Sequence, residues 1–342
     1  STPLQLKSQG DSYGPFYDSP LATIVCNRPI DYRKINGSEF NPTSDVLGVF
    51  AISSDAKSQI SDGTNLTIGQ AVTTISNHMF YNLPIKTITI PGSVNTIGNN
   101  VFNGCNSLTE ITFEPSPTGE SLTIGYETSG ESENLFQDYC KLTTLNLNRE
   151  LIYTFGDSYI DSNSEGLFGE IPTLTSVTLG EQVKTLHKYM FANSRITELT
   201  IPGSVTTIAN DVFHQCIALT SLTFSPSPTG EKLTIGYDTD GEDENLFQDY
   251  CPLTTLNLDR ELNYTLPDGS IDTNSEGLFG GISTLTNVTL GDQVKTLHKF
   301  MFAGTGIKSI NLNKVTTIGN YAFYNDAALE SVNLGNVTTI AK

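Results

Sequence analysis

Twelve of the chain's seventeen phenylalanines recur once per short block, at Phe16, Phe50, Phe80, Phe102, Phe136, Phe168, Phe191, Phe213, Phe247, Phe279, Phe302 and Phe323. The gaps between them run 34, 30, 22, 34, 32, 23, 22, 34, 32, 23 and 21 residues. A recurrence at roughly twenty to fifty residues marks a solenoid, whose units bury their apolar faces only by stacking on one another. The functional question therefore moves from a pocket to an extended surface.

The unit is clearest at 196–218, ITELTIPGSVTTIANDVFHQCIA. Ile196, Leu199 and Ile201 point inward and Thr197, Glu198 and Thr200 outward, the pattern of a half-buried strand. Pro202-Gly203 punctuates a turn. A second short strand is expected over Val205-Thr206-Thr207-Ile208. Asn210-Asp211 then reads as an N-cap, and Val212, Phe213, Cys216 and Leu219 fall at helical spacing, which predicts about one helical turn.

The same grammar recurs at 85–107, 174–195, 285–306 and 307–328, and longer versions at 108–141 and 142–173 carry insertions. Four units form a super-repeat: 85–195 aligns with 196–306 without a gap, 78 of 111 positions being identical. Leu21 to Tyr32 parallels 142–153 and 253–264, so the first sixty residues read as a diverged part of the array. Val337 to Ile340 matches Val315 to Ile318. No polar cap follows it, so truncation or an end-to-end contact at this C-terminal edge is expected.

The net charge of −19 repels phosphate backbones and anionic membrane surfaces, so neither nucleic acid nor membrane insertion is expected. No run of about eighteen apolar residues is present. No charged and apolar leader opens the chain at Ser1, so either the protein is not exported or, as expected here, the numbering begins after a removed leader. Cys26, Cys105, Cys140, Cys216 and Cys251 are odd in number, which argues against a disulfide framework. Cys105 and Cys140 fall in neighbouring coils where a bridge is conceivable, but buried thiols are the expectation.

The pattern L-x-x-[IL]-x-[IL]-P-x-x-V-x-x-I-x-x-x-x-F-x-x-C-x-x-L resembles the BspA-like leucine-rich repeats of bacterial and protist surface proteins. LTSVTLGEQVKTLHKYMF and ITELTIPGSVTTIANDVFHQC carry it here, and the likeness runs from about Pro15 to Lys342. The fold expected is an α/β-type leucine-rich-repeat solenoid, right-handed, of about twelve coils, mostly short β-strands, with a parallel sheet on one face. At the coil spacing it would be roughly 55 Å long. It is read as one domain: diverged repeats over 1–84, near-identical super-repeats over 85–195 and 196–306, and C-terminal repeats over 307–342. The resemblance implies a cell-surface or secreted protein that binds host proteins, microbes or matrix. It carries over no contact residues.

Two surfaces stand out. Outward positions of the first strand form ladders, Thr109-Glu110-Thr112, Thr143-Thr144-Asn146, Thr175-Ser176-Thr178, Thr197-Glu198-Thr200 and Thr220-Ser221-Thr223, continuing to Asn311 and Asn333. They lack the Tyr, Trp and Arg of strong protein-binding faces. They read as solubilising strand residues or as a flat hydroxyl array for glycan or ice. The inserted segments are the second surface. Tyr126 and Glu131 in one 34-residue unit match Tyr237 and Glu242 in the other, and Glu133 (counterpart Glu244) and Asp240 (counterpart Ser129) complete the two sets. Tyr159, Asp161 and Asp272 lie in the 32-residue units. These nine are the candidate ligand-binding residues, set against the alternative of solvated, tolerated insertions.

Asp238, Asp240 and Asp243 imitate the start of a calcium loop, but the counterparts Glu127, Ser129 and Ser132 break it, and no bidentate Glu sits at the required distance. Arg28, Arg149 and Arg260 share one repeat position and are assigned to bonding backbone carbonyls or an insertion carboxylate. His187 and His298, also equivalent, are too far apart for a metal site. No nucleophile elbow, P-loop, C-x-x-C or H-E-x-x-H occurs. Glu165 and Asp161 could imitate a glycosidase pair, but a solenoid offers no enclosed cleft to raise one pKa. The expectation is a non-enzymatic binding protein with no cofactor or metal, extracellular or at the cell surface, engaging a protein or glycan through the insertion loops and the sheet face. A structural spacer is the alternative, and a hydroxyl-array glycan or ice binder the third reading.

Overall fold

The computed structural model describes residues 19–27, 63–125, 140–153, 166–236, 251–264 and 277–341, with Phe16, Phe50, 58–60 and Leu135 and the backbone of 4–5 and 30–31. It packs as two compact units, Ser1–Leu167 and Phe168–Lys342. In each, β-branched and leucine residues alternate with small polar ones over two to four positions. Extended backbone follows, because branched side chains pack well on a pleated, half-buried surface.

In the first unit the four-residue strands Thr87–Ile90, Glu110–Phe113 and Thr144–Leu147 pair in parallel, with Thr87 opposite Glu110 and Glu110 opposite Thr144. Thr23–Cys26 pairs directly with Asn65–Ile68. These two strands form a two-stranded parallel sheet of their own. A second sheet is built from the shorter strands Thr74–Ile75, Thr96–Ile97, Leu122–Ile124 and Leu151–Ile152. The second unit repeats the plan. Glu198–Ile201, Ser221–Phe224, Thr255–Leu258 and Asn287–Leu290 form one parallel sheet, and Thr185–Leu186, Thr207–Ile208, Leu233–Ile235 and Leu262–Asn263 the other.

The expected alternation is present at Glu198–Ile201: Leu199 and Ile201 are buried, Glu198 and Thr200 exposed. The second strand of that repeat is shorter than expected, covering only Thr207–Ile208. The Pro202-Gly203 turn packs on the next coil so closely that a Cβ at Gly203 would lie 2.0 Å from the Pro226 carbonyl oxygen.

The expected helical turn over 210–218 is not formed; the segment is a run of turns. Asp211 (φ 56°) and Gln215 (φ 51°) both lie in the left-handed region and break any helix between them. The arc is bonded outward instead: Phe191 N–H donates to Val212 O and Asn193 N–H to His214 O, from the preceding coil. In the first unit His78 N–H donates to Asn99 O and Asn82 N–H to Asn103 O. Turn bonds along the arc, such as Cys216 N–H to Phe213 O, and these bonds between coils together take the place of a helix's regular ladder.

Between sheets and arcs runs the aromatic spine. Phe16, Phe50, Phe80 and Phe102 stack in sequence, with ring centroids 5.8, 6.1 and 6.2 Å apart. Phe168, Phe191 and Phe213 stack at 6.4 and 6.2 Å, and Phe279, Phe302 and Phe323 at 5.8 and 5.9 Å. Such near-parallel pairs contribute about 0.5–1.5 kcal/mol each beyond burial. Phe136 and Phe247 lie outside the described residues.

Candidate functional site

The nine candidate ligand-binding residues, Tyr126, Glu131, Glu133, Tyr237, Asp240, Glu242, Tyr159, Asp161 and Asp272, all lie outside the described residues, as do Asp238, Asp243, Glu165 and Arg28. The coil on either side of them is described. Gly125, before one segment, donates its N–H to Ile97 O at 2.6 Å, and its counterpart Gly236 donates to Ile208 O at 2.7 Å. Tyr153 and then Leu167 and Phe168 are buried on the two sides of the next segment, and Leu278 and Phe279 are buried after its counterpart.

Arg149 and Arg260 take the structural role expected of them. Arg149 is 1% exposed, and its guanidinium donates to the carbonyls of Val94 at 2.7 Å, Glu120 at 3.0 Å and Gly92 at 3.3 Å. Arg260 donates to the carbonyls of Glu231 and Val205. Burial lowers the pKa of both, with Glu120 and Glu231 respectively pulling the other way. Each arginine stitches its own coil to two earlier coils.

The neighbouring acid was not singled out by the sequence. Glu261 is 7% exposed, and its Oε2 accepts the N–H groups of Lys295 and Thr296 from the following coil, at 2.6 and 3.1 Å. Lys232 lies 3.8 Å from its other oxygen. The recurring Arg-Glu dipeptides at 149–150 and 260–261 are the available signal, but most of the super-repeat is identical, so repetition alone does not rank them.

The threonine ladders divide into two sets. Thr109, Thr143, Thr220 and Thr254 donate their hydroxyls to the carbonyls of Lys86, Thr109, Thr197 and Thr220, at 3.0–3.1 Å. At the short-strand edge, Thr206, Thr316 and Thr338 do the same toward the coil before. These hydroxyls spend their proton inside the protein. The second set, among them Thr89, Thr178, Thr200 and Thr289, is exposed on the sheet face.

All five cysteines are free. Burial pushes the Cys140 and Cys216 thiols up to about 11 and Cys251 up to about 12. Cys105 and Cys216 donate to the carbonyls of Phe80 and Phe191 in the preceding coils, both at 3.2 Å. His298 lies 3.0 Å from the Leu262 carbonyl and packs on Tyr264, with ring centroids 4.6 Å apart. Among the described residues, no three His, Cys, Asp or Glu side chains gather as a metal site. No described helix is long and apolar enough to cross a membrane.

The sequence matches the BspA type leucine rich repeat region in six copies, over residues 47–164, 132–264 and 243–342. The chain belongs to the BspA-type leucine-rich-repeat family. No curated protein matches it. Among solved structures, a leucine-rich repeat protein from Bacteroides ovatus is 21% identical, with 98% of this chain and 87% of that chain covered and a TM-score of 0.39. A leucine rich cell surface protein from Faecalibacterium prausnitzii is 20% identical, covering 98% and 89%, with a TM-score of 0.34. The pneumococcal vaccine antigen PcpA is 16% identical, covering 80% and 73%, with a TM-score of 0.32.

Proposed function

We propose that this BspA-type chain is a non-enzymatic binding protein, displayed at the cell surface or secreted, that captures an extracellular protein or glycan. The observation that carries the reading is the anchoring of the coil beside the inserted segments. Gly125 and Gly236 are tied to the coil before, while Leu167 with Phe168 and Leu278 with Phe279 are buried on the far side of the 32-residue units' segments. Inserted segments flanked by anchored coils suit multi-point capture, in which weak contacts add through effective concentration. Tyr126, Glu131 and Glu133, Tyr237, Asp240 and Glu242, and Tyr159, Asp161 and Asp272 are the proposed contacts. Display outside the cell is part of the same proposal and rests on the family.

The ladder hydroxyls weigh against a hydroxyl array as the principal surface, because one set of them donates to backbone carbonyls. The test is a screen of the chain against matrix proteins, mucins and a glycan array. Saturable capture of one class supports the proposal. Silence across all three panels would sink it in favour of a spacer.

A further inference from the structure

Three residues beyond the spine phenylalanines lies a buried column, apolar at Leu83, Ile171 and Ile282 and filled by Cys105, Ser194, Cys216 and Thr305 beyond Phe102, Phe191, Phe213 and Phe302. The next member is a carboxylic acid, Asp326. In the coils of Phe102, Phe191, Phe213 and Phe323, the column residue donates its own N–H to that phenylalanine's carbonyl. Thr305 does not. Its N–H and its hydroxyl both go to Asp326 Oδ1, at 2.5 and 3.0 Å. Among the described residues no donor reaches the Phe302 carbonyl, and the second oxygen of Asp326, Oδ2, is buried without a partner.

An unpaired buried acceptor thus sits in the column where Cys105 and Cys216 act as donors to the phenylalanine carbonyl of the coil before. We propose that Asp326 is a proton-operated latch between the turn at 302–305 and the turn at 323–329. Protonated on Oδ2, the carboxyl donates to the Phe302 carbonyl, as the thiols do to Phe80 and Phe191, while Oδ1 keeps both Thr305 donors. Ionised, it keeps only the Thr305 contacts and leaves one buried oxygen unpaired, a costly state for a charged group.

Burial raises the Asp326 carboxyl from its ordinary 3.8 to about 6, against the lowering effect of the two Thr305 bonds. The charged and titratable groups on the two packed segments are Lys308, Tyr321, Tyr324 and Glu330. All four are exposed and none hydrogen-bonds Asp326. Because the folded-state pKa is raised, the folded chain holds this proton more firmly than the unfolded chain. The latch is fully closed below the ordinary carboxyl value and opens as pH rises through about 6.

Amide exchange, corrected to protection factors, reads the latch at Thr305 and at Glu330–Asn333. In the unaltered chain, protection should rise several-fold, up to about tenfold, from pH 7.5 to pH 5. Asp326→Asn, whose amide can donate to Phe302 and accept from Thr305, should be fully protected at pH 7.5 and unchanged at pH 5. Asp326→Cys, which places here the donor found at Cys105 and Cys216, should also be pH-independent, so the proposal does not hang on one variant. Three results overturn it: flat protection in the unaltered chain, the same pH response in Asp326→Asn, or lost protection at both pH values in both variants.

Discussion

Gln215 is an exposed polar residue held at φ 51°, and its counterpart 111 residues earlier is Gly104 at φ 74°. Only glycine enters the left-handed region without Cβ strain, which costs other residues about 1–2 kcal/mol. Part of that relief is lost to the greater freedom of glycine in the unfolded chain. Gln215→Gly should therefore raise stability by about 1 kcal/mol, read as a shift in the denaturant midpoint at constant slope. The same two left-handed positions explain why the arcs could not be read from the sequence. Val212, Phe213, Cys216 and Leu219 are spaced as on a helix. Asp211 and Gln215 carry no glycine to announce the break, and Asn210-Asp211 has the composition of a helix N-cap.

At the scale of the strand and coil, sequence pattern was informative wherever period-two alternation was strong, as at Glu198–Ile201, and wherever a large residue recurred, as in the phenylalanine stacks. The buried Arg-Glu step was half legible. Shared position identified Arg149 and Arg260 as structural, but Glu261 acts through backbone N–H groups of the next coil, which leave no mark on side-chain chemistry. Removing the arginine exposes what it supplies. Arg260→Ala strands the carbonyls of Val205 and Glu231 and opens a cavity, so it should destabilise by about 3 kcal/mol. Arg260→Lys should recover only part of this, because a single ammonium does not reproduce the planar fork. Equilibrium denaturation of the two variants checks both statements.

For the whole molecule, the fold was legible because repetition multiplies a weak local signal, whereas the candidate site was not. Its residues sit in inserted segments whose composition, acidic with a tyrosine at the start, fits a binding loop and a solvated insertion equally. The central functional claim is that these segments, and not the threonine-bearing sheet, capture the partner. The most direct measurement uses whatever ligand the screen returns. Its capture is compared between the full chain and a variant lacking both 126–133 and 237–244, with circular dichroism and the thermal transition recorded on each. The account predicts that capture falls at least tenfold while spectrum and transition stay unchanged, since Gly125, Gly236, Phe168 and Phe279 hold the frame without the segments. Undiminished capture by the folded deletion variant would contradict it and move the site to the sheet face.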